Sequence, residues 1–159
     1  MKATADLIDD HADVLQSCSI QFRDLGGRRQ YFGPVRTLQC YKDNKIFKSL
    51  LSEPGEGAVL VVDGAGSLEA ALLGDMNAAL GMNNGWAGCV IHGAVRDSAI
   101  LATLDFGVKA IGVNPAKSTK NGEGQADVEI EFGGVQFKPG QWIYCDEDGL
   151  VVAPHELPI

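Results

Sequence analysis

Positive charge is scarce in this sequence. Thirteen Lys and Arg face 21 Asp and Glu, for a net charge of −8 and a pI of about 4.7. The densest basic cluster is Arg28-Arg29, followed by Lys117 and Lys120. Nucleic-acid binders displace counterions with a basic stripe, so direct RNA or DNA binding is not expected. An acidic protein can still dock on a basic partner protein. Paired cysteines are lacking too. Cys18, Cys40, Cys89 and Cys145 lie far apart, which fits neither a zinc site nor a redox pair and reads as free thiols in a reducing compartment. No apolar run approaches the ~18 residues of a membrane span. No signal peptide opens the chain, because Met1-Lys2 leads into a segment with Asp6, Asp9 and Asp10. The expectation is a cytoplasmic protein with no membrane attachment.

What is present is a core and its punctuation. Apolar residues make up 45% of the 159. This is the size of one domain, 1–159, which buries roughly 70% of its unfolded surface without staples. The 20 glycines stand singly or in pairs between apolar runs, a pattern of tight turns. Thr4 reads as the N-cap of a short acidic helix and Asn44 as the cap of a second, with Ile46, Phe47, Leu50 and Leu51 on one face. Gly33 to Tyr41 alternates as a strand. Ala58 to Val62, Cys89 to Ile91 and Ala110 to Val113 are continuous apolar runs, as expected of strands buried on both faces. Leu68 to Leu73 fits either helix or strand. A helix follows Gly74-Asp75 and stops at Asn83-Asn84-Gly85, and another runs from Arg96-Asp97-Ser98 to Leu104. The middle of the chain thus repeats strand, loop and helix, implying parallel pairing through crossovers. In the last third, Val128 to Phe132 alternates, and Trp142 to Cys145 and Leu150 to Ala153 flank a hairpin turn. The polar stretch from Asn114 to Ala126 reads as a loop. The fold class is α/β, with mixed sheet layers and flanking helices.

Open α/β sheets place ligands beyond the carboxyl ends of their strands. Three such ends stand out: Asp63-Gly64-Ala65-Gly66-Ser67, Gly93 to Asp97, and Gly112 to Pro115. Arg96 offers a rigid fork for a carboxylate or a 2-oxo group. Asp97 is a hard oxygen ligand suited to Mg²⁺ or Mn²⁺. On its own the pair reads more readily as a helix-start Asp beside a surface Arg. Gly74-Asp75-Met76-Asn77 would present free amides at a helix start, a place that binds carboxylates, or would be plain capping by Asp75. The Gly64 to Ser67 loop lacks a phosphate-binding fingerprint and reads as a turn. His92, at the end of a buried strand, reads as a satisfied core residue.

Taken together, the segment from Val59 to Asp97, VLVVDGAGSLEAALLGDMNAALGMNNGWAGCVIHGAVRD, resembles the regulator of ribonuclease activity A family. That family is homologous to the 4-hydroxy-4-methyl-2-oxoglutarate aldolases, or class II pyruvate aldolases. FGPVRTLQCYKDN and FGGVQFKPGQWIYCDEDGLVVAP extend the similarity over almost the whole chain. Its specific mark is Asp75, twenty intervening residues, then Arg96-Asp97. The resemblance implies a swivelling β/β/α-type fold and a homo-oligomer, trimer or hexamer, with sites between subunits. It implies a divalent-metal-dependent lyase that cleaves 4-hydroxy-4-methyl-2-oxoglutarate to pyruvate and decarboxylates oxaloacetate. Gly74, Asp75, Met76 and Asn77 would bind the substrate carboxylate, and Arg96 the 2-oxo group and its enolate. Asp97 would hold Mg²⁺ or Mn²⁺, and Asp75 would position the water that moves a proton. The alternative implied is a non-catalytic regulator that binds and inhibits ribonuclease E. The pattern departs at Ile100, where many of these aldolases carry an acidic residue.

Overall fold

A computed structural model describes residues 1–158. In chain order the elements are α1 (Thr4–His11), β1 (Gln16–Ser17), β2 (Arg23–Asp24), β3 (Tyr31–Gln39), α2 (Lys45–Leu51), β4 (Val59–Asp63), β5 (Ala71–Leu73), α3 (Asp75–Asn83), β6 (Gly88–Val95), α4 (Ser98–Leu101) and β7 (Gly107–Val113). They continue with β8 (Gln125–Ala126), β9 (Ile130–Phe132), β10 (Val135–Phe137), β11 (Trp142–Asp146) and β12 (Gly149–Ala153). The main sheet runs β1-β12-β11-β3-β4-β6-β7-β2, with β5 added beside β6 and β8 beside β3. Its centre is parallel: β3 with β4, β4 with β6, and β6 with β7. Its flanks are antiparallel. β9 and β10 form a separate hairpin. This is the mixed α/β architecture expected from the sequence.

The apolar runs become central strands because both their faces are covered. Along β4, Leu60 and Val62 join a core with Phe47, Leu51, Ala78 and Phe106, under the helices. Val59 and Val61 point the other way, into a core with Phe132, Phe137 and Ile143 from the antiparallel third. A strand buried on both sides needs no polar alternation, which is why the run VLVV reads as continuous. A third, smaller core packs Leu7 of α1 and Leu157 against Tyr144 and Val151. Lys109 is buried between these layers. Its ammonium donates to Asp24 Oδ1 at 2.7 Å and to the Asp146 carbonyl at 2.7 Å.

Several local expectations are corrected by long-range partners. Thr4 is the first helical residue and not the cap, because its amide and hydroxyl both donate to the buried Asp146 carboxylate, at 2.8 and 2.7 Å. Asn44 sits at the N-cap of α2, but its side chain donates to the Leu72 carbonyl at 3.3 Å. The α2 amide of Lys45 goes instead to Asp43 Oδ1. Residues 68–73, open between helix and strand, end in the short strand β5. The helix after Asp97 is only Ser98–Leu101. Three-residue turns follow it, with the Thr103 amide bonded to the Ile100 carbonyl and the Leu104 amide to Leu101.

The polar stretch after Val113 is held in place. The Ala71 amide donates to Ala116 O at 2.7 Å and the Ser118 hydroxyl to Ala71 O at 2.6 Å. Asp43, buried, accepts from the Thr119 hydroxyl at 2.8 Å and the Asn121 and Gly122 amides at 2.6 and 3.1 Å. Burial alone would raise the Asp43 pKa, but the hydrogen bonds from Thr119, Asn121, Lys45 and Gly122 outweigh it and hold the carboxyl below its ordinary value. A carboxylate with a depressed folded pKa contributes stability above its unfolded value of about 3.9, and that stability is lost as pH falls through the lower folded value. Asp43→Asn is therefore expected to cost roughly 1–3 kcal/mol in urea denaturation at neutral pH, by leaving buried donors mismatched. The gap to the wild type should narrow in strongly acid solution.

Candidate active site

The twenty-residue spacing between Asp75 and Arg96 has a structural origin. Asp75 opens α3, the chain turns at residues 84–87, and β6 returns to end at Val95. That is one crossover from the end of β5 to the end of its parallel neighbour. Leu73 on β5 lies in register with Val95 on β6, and the Arg96 amide donates to the Leu73 carbonyl at 2.9 Å. Two strand ends thus stand side by side, and the residues that follow each of them share a crevice. β7 ends on the other side of β6, where the Asn114 amide donates to Val95 O at 3.0 Å. Asn114 and Pro115 form a wall there next to Arg96 and Asp97.

The contacts in the crevice are close. The Asp75 amide, at the α3 N-terminus, donates to Asp97 Oδ2 at 3.1 Å, and the Met76 amide to Asp75 Oδ1 at 2.9 Å. Gly74 precedes the helix with φ −129° and ψ −171°, a conformation open to any residue. An added Cβ would lie 2.7 Å from Asp97 Oδ2 and 3.5 Å from the Arg96 side chain, so the Asp97 carboxylate would have to shift. Asp97 adopts φ 60°, ψ 38°. This left-handed backbone costs a non-glycine residue about 1–2 kcal/mol, and Asp tolerates it better than most. It places the strain of the β6–α4 turn at the carboxylate that reaches α3. The Arg96 guanidinium has one long contact, to Pro115 O at 3.5 Å, and no acidic partner among the described residues.

The structure therefore brings Gly74, Asp75, Met76, Asn77, Arg96 and Asp97 to the lining of one crevice of about 250 Å³. A second hollow of about 300 Å³ continues it past Arg96 and Asp97. Asp75 and Asp97 offer only carboxylate oxygen to a cation, with no His or Cys beside them. Among the described residues, no group of three or more His, Cys, Asp and Glu converges to cage a metal. One or two carboxylates with water filling the other positions is the usual protein share for Mg²⁺, and the donor set fits that. Ile100, at the position where an acidic residue was looked for, is 48% exposed on α4.

Other candidates lie elsewhere. Asp63 and Ala65 line a larger cavity of about 470 Å³ with Gln39, Tyr41 and Glu123. This third strand end is separated because β5, not β4, flanks the last part of β6. Among the described residues no Lys or Arg lines that cavity, so it sets no cationic side chain against an acid. His92 packs on Phe132 with ring centroids 5.0 Å apart, and its Nδ1, 3.7 Å from Asp63 Oδ1, has no hydrogen-bond partner among the described residues. The reading of the residues missed the lining of Asn44, Lys48, Lys117 and Lys120. Lys117 and Lys120 were visible as a weak basic cluster, but nothing local ties them to Arg96.

The RraA-like family, described as Aldolase/RraA, has a sequence model that matches residues 4–152. Among solved structures, the chain is similar to a Geobacillus kaustophilus HTA426 protein named S-adenosylmethionine:2-dimethylmenaquinone methyltransferase. Identity is 46% over 98% of this chain and 97% of that one, with TM-score 0.97. It is similar to the RNA-processing inhibitor RraA from Thermus thermophilis, at 42% identity over 99% and 96% and TM-score 0.95. It is also similar to Streptomyces coelicolor RraAS2, named an unusual member of the RNase ES inhibitor RraA family, at 29% identity over 94% and 78% and TM-score 0.76. Those names point to different activities on one architecture, so activity has to be argued from the site. The architecture and the length of the match agree: the chain belongs to the RraA-like family, Aldolase/RraA.

Proposed function

We propose that the protein is a divalent-metal-dependent lyase acting on 2-oxo acids, by aldol cleavage of 4-hydroxy-4-methyl-2-oxoglutarate to pyruvate and by decarboxylation of oxaloacetate. The observation that carries this reading is the Asp97 carboxylate resting on the Asp75 amide, beside Arg96. The α3 N-terminus already receives a carboxylate oxygen there, as a helix end favours. A substrate carboxylate takes that place on the amides of Gly74 to Asn77, and Asp97, released from the Asp75 amide, would be free to hold a divalent cation. Arg96 then faces the 2-oxo oxygen. In the cleavage (retro-aldol) direction the water positioned by Asp75 takes the C4 hydroxyl proton, the C3–C4 bond breaks as C4 becomes a carbonyl, and the electron pair is held on the other fragment as the pyruvate enolate. In decarboxylation, loss of CO₂ gives the same enolate. Arg96, with no carboxylate to neutralise it, stabilises that charge. Asp75 positions a water that carries a proton to the methyl carbon. Mg²⁺ or Mn²⁺, held by Asp97, would supply Lewis acidity to the 2-oxo acid. Exposed Met76, Ile100 and Val113 near the crevice support assembly as a trimer or hexamer with sites near subunit contacts.

A second reading is favoured by the 42% identity to an RNA-processing inhibitor. It makes the protein a binder of ribonuclease E, its −8 charge attracting a basic segment of that partner.

Two outcomes follow. Arg96→Ala should lower kcat/KM for oxaloacetate decarboxylation ~10²–10³-fold, the size of one lost oxyanion donor; full activity with unchanged metal dependence would remove Arg96 from the mechanism. If the regulatory reading holds, cosedimentation with ribonuclease E should weaken steeply as salt is raised, and absence of any salt-dependent capture would count against it.

A further inference from the structure

The chain contains two Asn-Gly pairs, Asn84-Gly85 and Asn121-Gly122. In this dipeptide the glycine nitrogen can close on the asparagine side-chain carbonyl, because glycine carries no Cβ to obstruct the approach. The fold treats the two pairs differently. Asn84 is the half-buried C-cap of α3. Its Nδ2 donates to the Leu51 carbonyl at 2.9 Å and the Gly85 amide to Met82 O at 3.2 Å. Both reacting groups are thus engaged with the helix end. Asn121 is exposed, and its side chain has no hydrogen-bond partner among the described residues. Gly122 adopts φ 84°, a left-handed backbone that glycine takes at no steric cost.

The backbone of the second pair is where the structure is sensitive. The Asn121 amide donates to Asp43 Oδ2 at 2.6 Å and the Gly122 amide to Asp43 Oδ1 at 3.1 Å. Two successive amides therefore share one buried carboxylate. The nitrogen that would attack, that of Gly122, is held by the longer of these two bonds. Breaking one bond in a surface segment costs far less than unfolding the chain. The Asn121 side chain needs no release at all.

We propose that Asn121 is a site of spontaneous deamidation and isoaspartate formation in the folded protein, and that Asn84 is protected. The Gly122 nitrogen gives up its proton to solvent base and bonds to Asn121 Cγ, and the side-chain nitrogen leaves as ammonia. Water then opens the cyclic imide at either carbonyl, giving aspartate or isoaspartate. One water enters, one ammonia leaves, and nothing is oxidised or reduced. Isoaspartate carries the main chain through Cβ and Cγ. It adds a methylene between the two amides that share Asp43, and it sets a new carboxylate beside a buried one. The clasp on Asp43 is lost with that spacing. The same segment carries Lys117 and Lys120, which line the crevice, so the modification loosens one wall of the site. The reaction needs only water, and proceeds whether or not the crevice turns over a 2-oxo acid.

The test ages the full chain in warm, mildly alkaline buffer, folded and in parallel in guanidinium chloride. Isoaspartate is labelled with an isoaspartyl methyltransferase and mapped by tandem mass spectrometry. The denatured chain should react at both pairs. The folded chain should carry roughly ten-fold more isoaspartate at 121 than at 84, the factor that one intact side-chain hydrogen bond imposes. Asn121→Gln should abolish the signal at 121, because glutamine must close a larger and slower ring, and its exposed side chain gives up no contact. Aged wild type should unfold at lower urea than fresh protein, while aged Asn121→Gln should not shift. The proposal is overturned if folded protein shows no isoaspartate at 121 when the denatured chain does, or equal amounts at 84 and 121. It is overturned equally if modified protein keeps the urea midpoint of fresh protein, since Asp43 would then have lost nothing.

Discussion

The site depends on one pairing: β5, three residues long, lies parallel beside the last part of β6, with the Arg96 amide bonded to Leu73 O at 2.9 Å. Without it, Asp75 and Arg96-Asp97 would leave the sheet at unrelated places. With it, the start of α3 and the turn after β6 emerge together, and a helix N-terminus, a guanidinium and two carboxylates meet. The same short strand receives the segment after β7 through Ala71, so the lysine wall is referenced to the same backbone. Gly74 completes the geometry by leaving no Cβ between the helix end and Asp97.

Charge is organised around that frame in two ways. Asp43 spends its carboxylate on backbone and hydroxyl donors, and so fixes a polar segment that has no apolar anchor of its own. Asp97 remains exposed and holds the Asp75 amide by a single contact. A carboxylate tied by four donors is structural; one tied by a single amide, on a left-handed backbone, can exchange that partner for a ligand. The two aspartates show how firmly the same side chain is held according to what surrounds it.

Much of this was legible in the sequence where the signal is local or covers one crossover. The run VLVV announces a strand buried twice, and the separation of Asp75 from Arg96-Asp97 is the length of a helix, a turn and a returning strand. What was not legible is what depends on partners far along the chain. Thr4 gives its donors to Asp146, 142 residues away, and so cannot cap its own helix. β5 has too few residues to show a period. The segment from Asn114 onward reads as a loose loop because the residue that holds it, Asp43, lies over 70 positions earlier. Lys117 and Lys120 join the site only through that connection.

The central claim is that this crevice generates the enolate of pyruvate. Its most direct test needs no knowledge of the natural substrate: exchange of the pyruvate methyl protons into D₂O, followed by NMR with Mg²⁺ and after chelation. The account predicts metal-dependent exchange in the wild type that is lost in Asp75→Asn, whose neutral amide no longer polarises the water that moves the proton. Exchange no faster than the metal alone, or exchange that Asp75→Asn leaves untouched, would contradict it.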